Sequence, residues 1–130
     1  MYVRFVVDEI CRYSGVELGI FQAAYRLSRA GRLDPYAEAW WAEIDGWFGR
    51  RLETPNRFAR SRRSGANECA ICWFRASATG HIARAHEIAA LLAEHHVASR
   101  MLRTRRPGYV VYEDRFQVAA EPFRPELLGH

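Results

Sequence analysis

Apolar positions along this chain fall into short blocks, and the spacing within each block predicts an element. Tyr2–Val7 is almost continuously apolar and rich in valine and aromatics, which reads as a strand. Ser14 and Glu17 are spaced as a capping box, with Tyr13 and Leu18 at the positions of a hydrophobic staple. Ile20, Phe21, Ala24 and Leu27 then recur at helical spacing, so a first helix is expected to run from Ser14 to a stop at Gly31. Asp34-Pro35 opens a second helix, with a good N-cap followed by proline at the first helical position. Its apolar stripe is Ala37, Trp41, Ile44, Phe48 and Leu52, broadened by Trp40 and Trp47, and Thr54-Pro55 ends it. Three tryptophans on one helix would suit stacking on bases or sugars, but an aromatic stripe this wide is ordinarily core.

Cys69–Arg75 reads as the second strand, and Ser77 or Thr79 as the cap of a third helix. Ile82, Ala85, Ile88, Ala89 and Leu92 form its buried face, and it ends near His95-His96. Val97–Arg103 follows as a strand, so that strand, helix and strand suggest a right-handed βαβ unit with a parallel pair. Pro107-Gly108 is a turn signal, and Tyr109–Tyr112 with Phe116–Ala120 reads as a hairpin. From Glu121 onward, Pro122 and Pro125 take the chain out of the sheet. With the final hairpin counted as one unit, the order β-α-α-β-α-β-β predicts one α/β or α+β domain over residues 1–130. It would be a two-layer sandwich of three helices on a mixed sheet of about five strands.

Composition narrows the function only slightly. The 130 residues carry a formal charge of +4, and all nineteen basic residues are arginine. Such a charge favours anionic partners without specifying nucleic acid, and a GC-rich genome would produce the same arginine bias. The longest apolar stretches, around Ala70–Phe74 and Ile88–Ala93, are too short to span a bilayer, and Met1 leads directly into the first strand. A cytoplasmic protein is therefore expected, with no membrane partner. Cys11, Cys69 and Cys72 form no disulfide framework. Cys69 and Cys72 match the redox spacing, but on a strand residues three apart point to opposite faces, so core packing is the reading taken. Cys69, Cys72, His81 and His86 lack the ~12-residue separation of a zinc finger, and His81 and His86 lie on different faces of their helix, so no metal site is expected. His95-His96 places favourable charge at a helix C-terminus.

The densest like charge is Arg57, Arg60, Arg62 and Arg63, with Arg50 and Arg51 upstream and the turn-rich Ser64-Gly65-Ala66-Asn67 downstream. It reads as an exposed loop suited to phosphate or carboxylate, because a guanidinium offers a planar fork of donors. Further candidates surround the sheet. Arg4, Arg100, Tyr112 and Gln117 would line a face left open by the helices and serve as an anion or base-stacking platform, unless the arginines only lie flat over apolar surface. Ser77-Ala78-Thr79-Gly80 at the start of the third helix would offer amides to phosphate, although Ser77 and Thr79 also suit an ordinary cap. The Glu113-Asp114 turn lacks the glycine that two-residue hairpins prefer, so its acids are held either for chemistry or by a longer turn.

The leading expectation is a small binding module for a phosphate-bearing ligand, either nucleic acid or nucleotide. Arg57, Arg60, Arg62 and Arg63 would neutralise phosphate, with Ser77, Thr79, Arg100 and Tyr112 orienting the ligand. The order Arg4, Trp73–Ser77, then Glu113 or Gln117 is similar to that of small ADP-ribosyltransferase-like domains, although their Ser-Thr-Ser strand motif is absent. That resemblance implies an NAD-using enzyme in which Arg4 holds the cofactor's phosphate or ribose and Glu113 or Gln117 stabilises developing positive charge. A third expectation is a protein–protein subunit or homo-oligomer, with arginine and tryptophan serving an interface.

Overall fold

β1 (Tyr2–Ile10) is the strand around which the rest is arranged, since Val3, Arg4, Phe5, Val6 and Val7 are all buried. A computed structural model of the chain describes residues 1–12, 14–53 and 70–123. A run buried on both faces belongs in the middle of a sheet, and β1 has partners along both edges. One edge is taken by β4 (Ser99–Thr104), antiparallel, from Tyr2 opposite Thr104 to Val7 opposite Ser99. The other edge is shared. β3 (Ile71–Arg75) pairs with Tyr2 and Val3, whereas β2 (Glu17–Gly19) pairs with Val6 and Ile10 across a bulge. Arg4 and Phe5 therefore face a fork where β2 and β3 part. Beyond β3 the sheet continues through β6 (Gln117–Glu121) to β5 (Tyr109–Glu113), again antiparallel.

Among the described residues the helices are α1 (Ile20–Arg29), α2 (Pro35–Arg51) and α3 (Thr79–Glu94). Ala24, Ile44, Phe48, Ile88, Leu91 and Leu92 from the helices meet Val3, Phe5, Val7 and Phe74 from the sheet in one core. Each of these side chains larger than alanine contributes about 1.5–3 kcal/mol by leaving water. Trp41 is buried in this core and Trp40 and Trp47 pack at its margin, so the tryptophan stripe of α2 is mainly structural. The Asp34 side chain accepts the Ala37 N–H at 2.8 Å, the cap that the sequence indicates. Gly31 (φ +67°) ends α1 in a Schellman motif, with its N–H bonded to Ser28 O and the Arg32 N–H to Leu27 O.

The α+β layering and the element order are those expected, and four details differ. First, α1 begins at Ile20 rather than Ser14. The Ser14 hydroxyl accepts from Val16 N–H, Gly15 takes φ +76°, and the chain turns back as β2, so Glu17 is a strand residue and no capping box forms. Second, β3 and β4 do run parallel to each other, but β1 lies between them, so they do not pair, and each pairing among the described residues is antiparallel. β1, buried from Val3 to Val7, fills the central slot that a simple βαβ unit would have closed. Third, the N-cap of α3 is Ala78, and neither Ser77 nor Thr79 caps it through its side chain. Fourth, the β5–β6 connection comprises Asp114, Arg115 and Phe116, a longer turn than Glu113-Asp114 alone.

Candidate functional site

At the fork in the sheet lies a cavity of about 550 Å³. Its lining combines Arg4 and Phe5 of β1, Gly19 to Gln22 at the β2–α1 junction, Phe48 and Leu52 of the α2 end, Cys72 to Phe74 of β3, and Gln117 of β6. Arg4 is only 8% exposed, and its Nη2 donates to Glu17 O at 2.7 Å. The Glu17 carboxylate is turned instead to the exposed Arg100, whose Nη2 donates to Oε1 at 2.8 Å. No carboxylate forms an ion pair with Arg4 among the described residues. Burial pushes its guanidinium below the ordinary arginine value, with Glu17 pulling the other way. Cys72 opens onto the cavity but is walled in by protein, which pushes its thiol up to about 11 although Arg4 draws it down. At neutral pH it is a thiol, not an activated nucleophile. Trp73, also in the lining, keeps its indole N–H buried with no hydrogen-bond partner among the described residues.

Gln117 is 1% exposed and lies opposite Phe74, so its side chain points beneath the helices rather than onto an open face. Its Nε2 donates to Glu53 O and to Asp114 Oδ2. Asp114 also accepts from the Tyr112 hydroxyl, Phe116 N–H and Gln117 N–H. Burial pushes the Asp114 carboxyl up, but these hydrogen bonds outweigh it and hold the group below its ordinary value. Tyr112 is pushed up to about 12, by burial first and then by donating to Asp114. The acid in this turn is thus a folding device that replaces the missing glycine with side-chain acceptors. Glu113 lies outside the network and forms an ion pair with Arg75 at 3.1 Å.

On the other side of the α2 C-terminus is a more open cleft of about 700 Å³. Arg50 and Arg51 from α2 and Arg115 from the hairpin turn line it, with His81, Phe116, Glu53 and Asp114. His81 Nε2–H donates to Arg51 O at 3.0 Å, and its ring lies 4.4 Å from Phe116, which fixes α2, α3 and the turn together. Two guanidiniums, Arg51 at 4.8 Å and Arg84 at 5.4 Å, lie over the half-buried Trp47 ring.

The residues expected to act together are thus divided. Arg4 and Gln117 share the fork cavity, Arg100 joins Arg4 only through Glu17, and Tyr112 joins Gln117 through Asp114. The expected open platform of all four does not form, because Gln117 and its neighbour Tyr112 turn toward the helix layer. Ser77 and Thr79 are exposed at the start of α3. Arg57, Arg60, Arg62 and Arg63, like Cys69, lie outside the described residues. The fork cavity escaped the sequence reading because β2 did. Ser14-Gly15, a turn dipeptide after an apolar run, was the signal for that hairpin. Among the described residues no three or more His, Cys, Asp or Glu side chains are grouped to hold a metal ion, and no helix is long and apolar enough to cross a membrane. No family model, curated protein or solved structure matches this chain.

Proposed function

We propose that this protein binds a phosphate-bearing ligand, nucleic acid or nucleotide, on the basic cleft at the end of α2. The observation that carries this reading is the convergence of Arg50, Arg51 and Arg115 on one open cleft, at the point where the sequence enters Arg57, Arg60, Arg62 and Arg63. Of the two acids in the lining, Asp114 has its charge occupied by hydrogen-bond donors, which leaves Glu53 as the main opposing charge. The carbonyl end of the α2 dipole also faces this region, and Arg50 and Arg51 in its last turn offset it. His81 belongs to the first turn of α3, where no side chain caps the amides, so that helix adds donors beside the arginines. Phe116 in the lining supplies aromatic surface on which a base can stack. Cys72 is a free thiol, which suits the reducing cytoplasm in which we place the protein.

The test is fluorescence anisotropy with a labelled single-stranded oligonucleotide, and with ATP as competitor. Replacing Arg50, Arg51 and Arg115 by alanine is expected to weaken binding at least tenfold while leaving the thermal midpoint nearly unchanged. Equal affinity of the folded variant and the wild type would overturn the reading.

A further inference from the structure

We propose that the fork cavity between β2 and β3 binds a small monocarboxylate with an apolar body, its carboxylate held by Arg4 and the first amides of α1. This site adjoins the basic cleft at Leu52 and Glu53 but opens on the other side of the α2 end, and it stands without the nucleic-acid reading.

The first argument is the unmatched charge. Buried charges are ordinarily paired, because removing an ion from water is costly unless an opposite charge or a full set of hydrogen bonds replaces it. Arg4 is more than nine-tenths buried, yet a single backbone carbonyl is its hydrogen-bond partner among the described residues. Its other guanidinium nitrogens are not among the fully buried atoms left without a partner, and the residue lines the cavity. Tying β2 to β1 through Glu17 O needs only one neutral donor. A guanidinium brings a planar fork that fits a carboxylate.

The second argument is what surrounds that fork. α1 starts at the cavity wall, with Gly19 as its N-cap and no side chain satisfying the first amides. Those amides and the positive end of the helix dipole favour an anion. The remaining walls are mainly apolar, including Phe21, Phe48, Leu52 and Phe74. The volume of about 550 Å³ is that of a small-molecule site.

The third argument selects carboxylate over phosphate. Asp45 and Glu53, both exposed, also belong to the lining, and among the described residues Arg4 is the one cation there. A phosphate dianion would add twice the negative charge of a monocarboxylate to this mainly apolar space.

The experiment compares three probes by calorimetry and amide NMR: 4-phenylbutyrate, the matching alcohol 4-phenylbutanol, and inorganic phosphate. The acid is expected to bind at least tenfold tighter than the alcohol and to shift the amides of Ile20, Phe21 and Gln22. Arg4→Met should erase the preference for the acid. Leu52→Trp, which fills the cavity while leaving Arg4 in place, should abolish binding of both organic probes even if Arg4→Met fails to fold. The alanine variant of Arg50, Arg51 and Arg115 should bind 4-phenylbutyrate as the wild type does, which separates this site from the basic cleft. Absence of binding, equal affinity for acid and alcohol, a stronger response to phosphate, or a site elsewhere on the amide map would each overturn the proposal.

Discussion

His96 and Gly108, two of the residues with positive φ, hold that backbone for opposite reasons. His96 (φ 64°) follows the C-cap of α3, where its own N–H bonds to Ala93 O and the Val97 N–H to Leu92 O. That motif prefers glycine, and His96 is exposed, so its side chain contributes little packing. A non-glycine residue in this region costs ~1–2 kcal/mol, against which glycine's extra freedom in the unfolded chain costs ~0.4–1 kcal/mol. Relief of strain should win, and His96→Gly is expected to stabilise by about 0.5–1 kcal/mol in urea titrations. Gly108 (φ +136°) reverses the sign. A Cβ there would collide with the backbone carbonyl of Glu121, which has no flexible end that could move aside. Gly108→Ala should therefore cost at least ~2 kcal/mol in the same titrations, enough to open the β4–β5 turn. Gly49 is the control, since nothing lies within 4 Å of the position a Cβ would take, and Gly49→Ala should be neutral or stabilising.

At the scale of elements, the β5–β6 turn ties the hairpin to the end of α2. Asp114→Ala would strip acceptors from Tyr112, Phe116 and Gln117 and leave Glu53 O as the partner of the buried Gln117 amide, at a cost of about 2–3 kcal/mol. Because the folded-state value of Asp114 lies below its ordinary one, its contribution is complete above the usual carboxylate range. It is lost as pH falls through the folded value. Melting curves should accordingly show the wild type losing more stability than Asp114→Asn on acidification below the ordinary aspartate range. The same network shows what pattern can and cannot reveal. α2 and the strands other than β2 were legible because Asp34-Pro35, the Ala37–Leu52 stripe and the valine-rich runs are local signals. The start of α1 was misread because Ser14 and Glu17 fit a capping box as well as they fit a hairpin, and only pairing with β1 decides between them. The fork cavity was illegible for a related reason. Arg4 and Gln117 are 113 positions apart in the sequence, and strand order brings them together.

The whole molecule carries its positive charge as arginine in separate groups, and salt dependence can apportion binding among them. Arg50, Arg51 and Arg115 are fixed by the α2 end and the hairpin turn, whereas Arg57, Arg60, Arg62 and Arg63 are placed by sequence alone. Each phosphate neutralised on a single strand contributes about 0.7 to the slope of log affinity against log salt. If every one of these arginines meets a phosphate, the wild-type slope should approach about −5, and the three cleft arginines alone would give about −2. Replacing Arg57, Arg60, Arg62 and Arg63 by alanine should then flatten the slope by about 3, and replacing Arg50, Arg51 and Arg115 by about 2. Replacing Arg50, Arg51 and Arg115 removes no side chain from the hydrophobic core, so the thermal midpoint should hold in that variant. Anisotropy titrations across a salt series separate the outcomes. A slope that falls only with the first set would place the phosphates on the arginine-rich segment. A slope that falls only with the second would confine them to the cleft. A slope near zero in the wild type would exclude a polyanion and leave a single nucleotide as the ligand to examine.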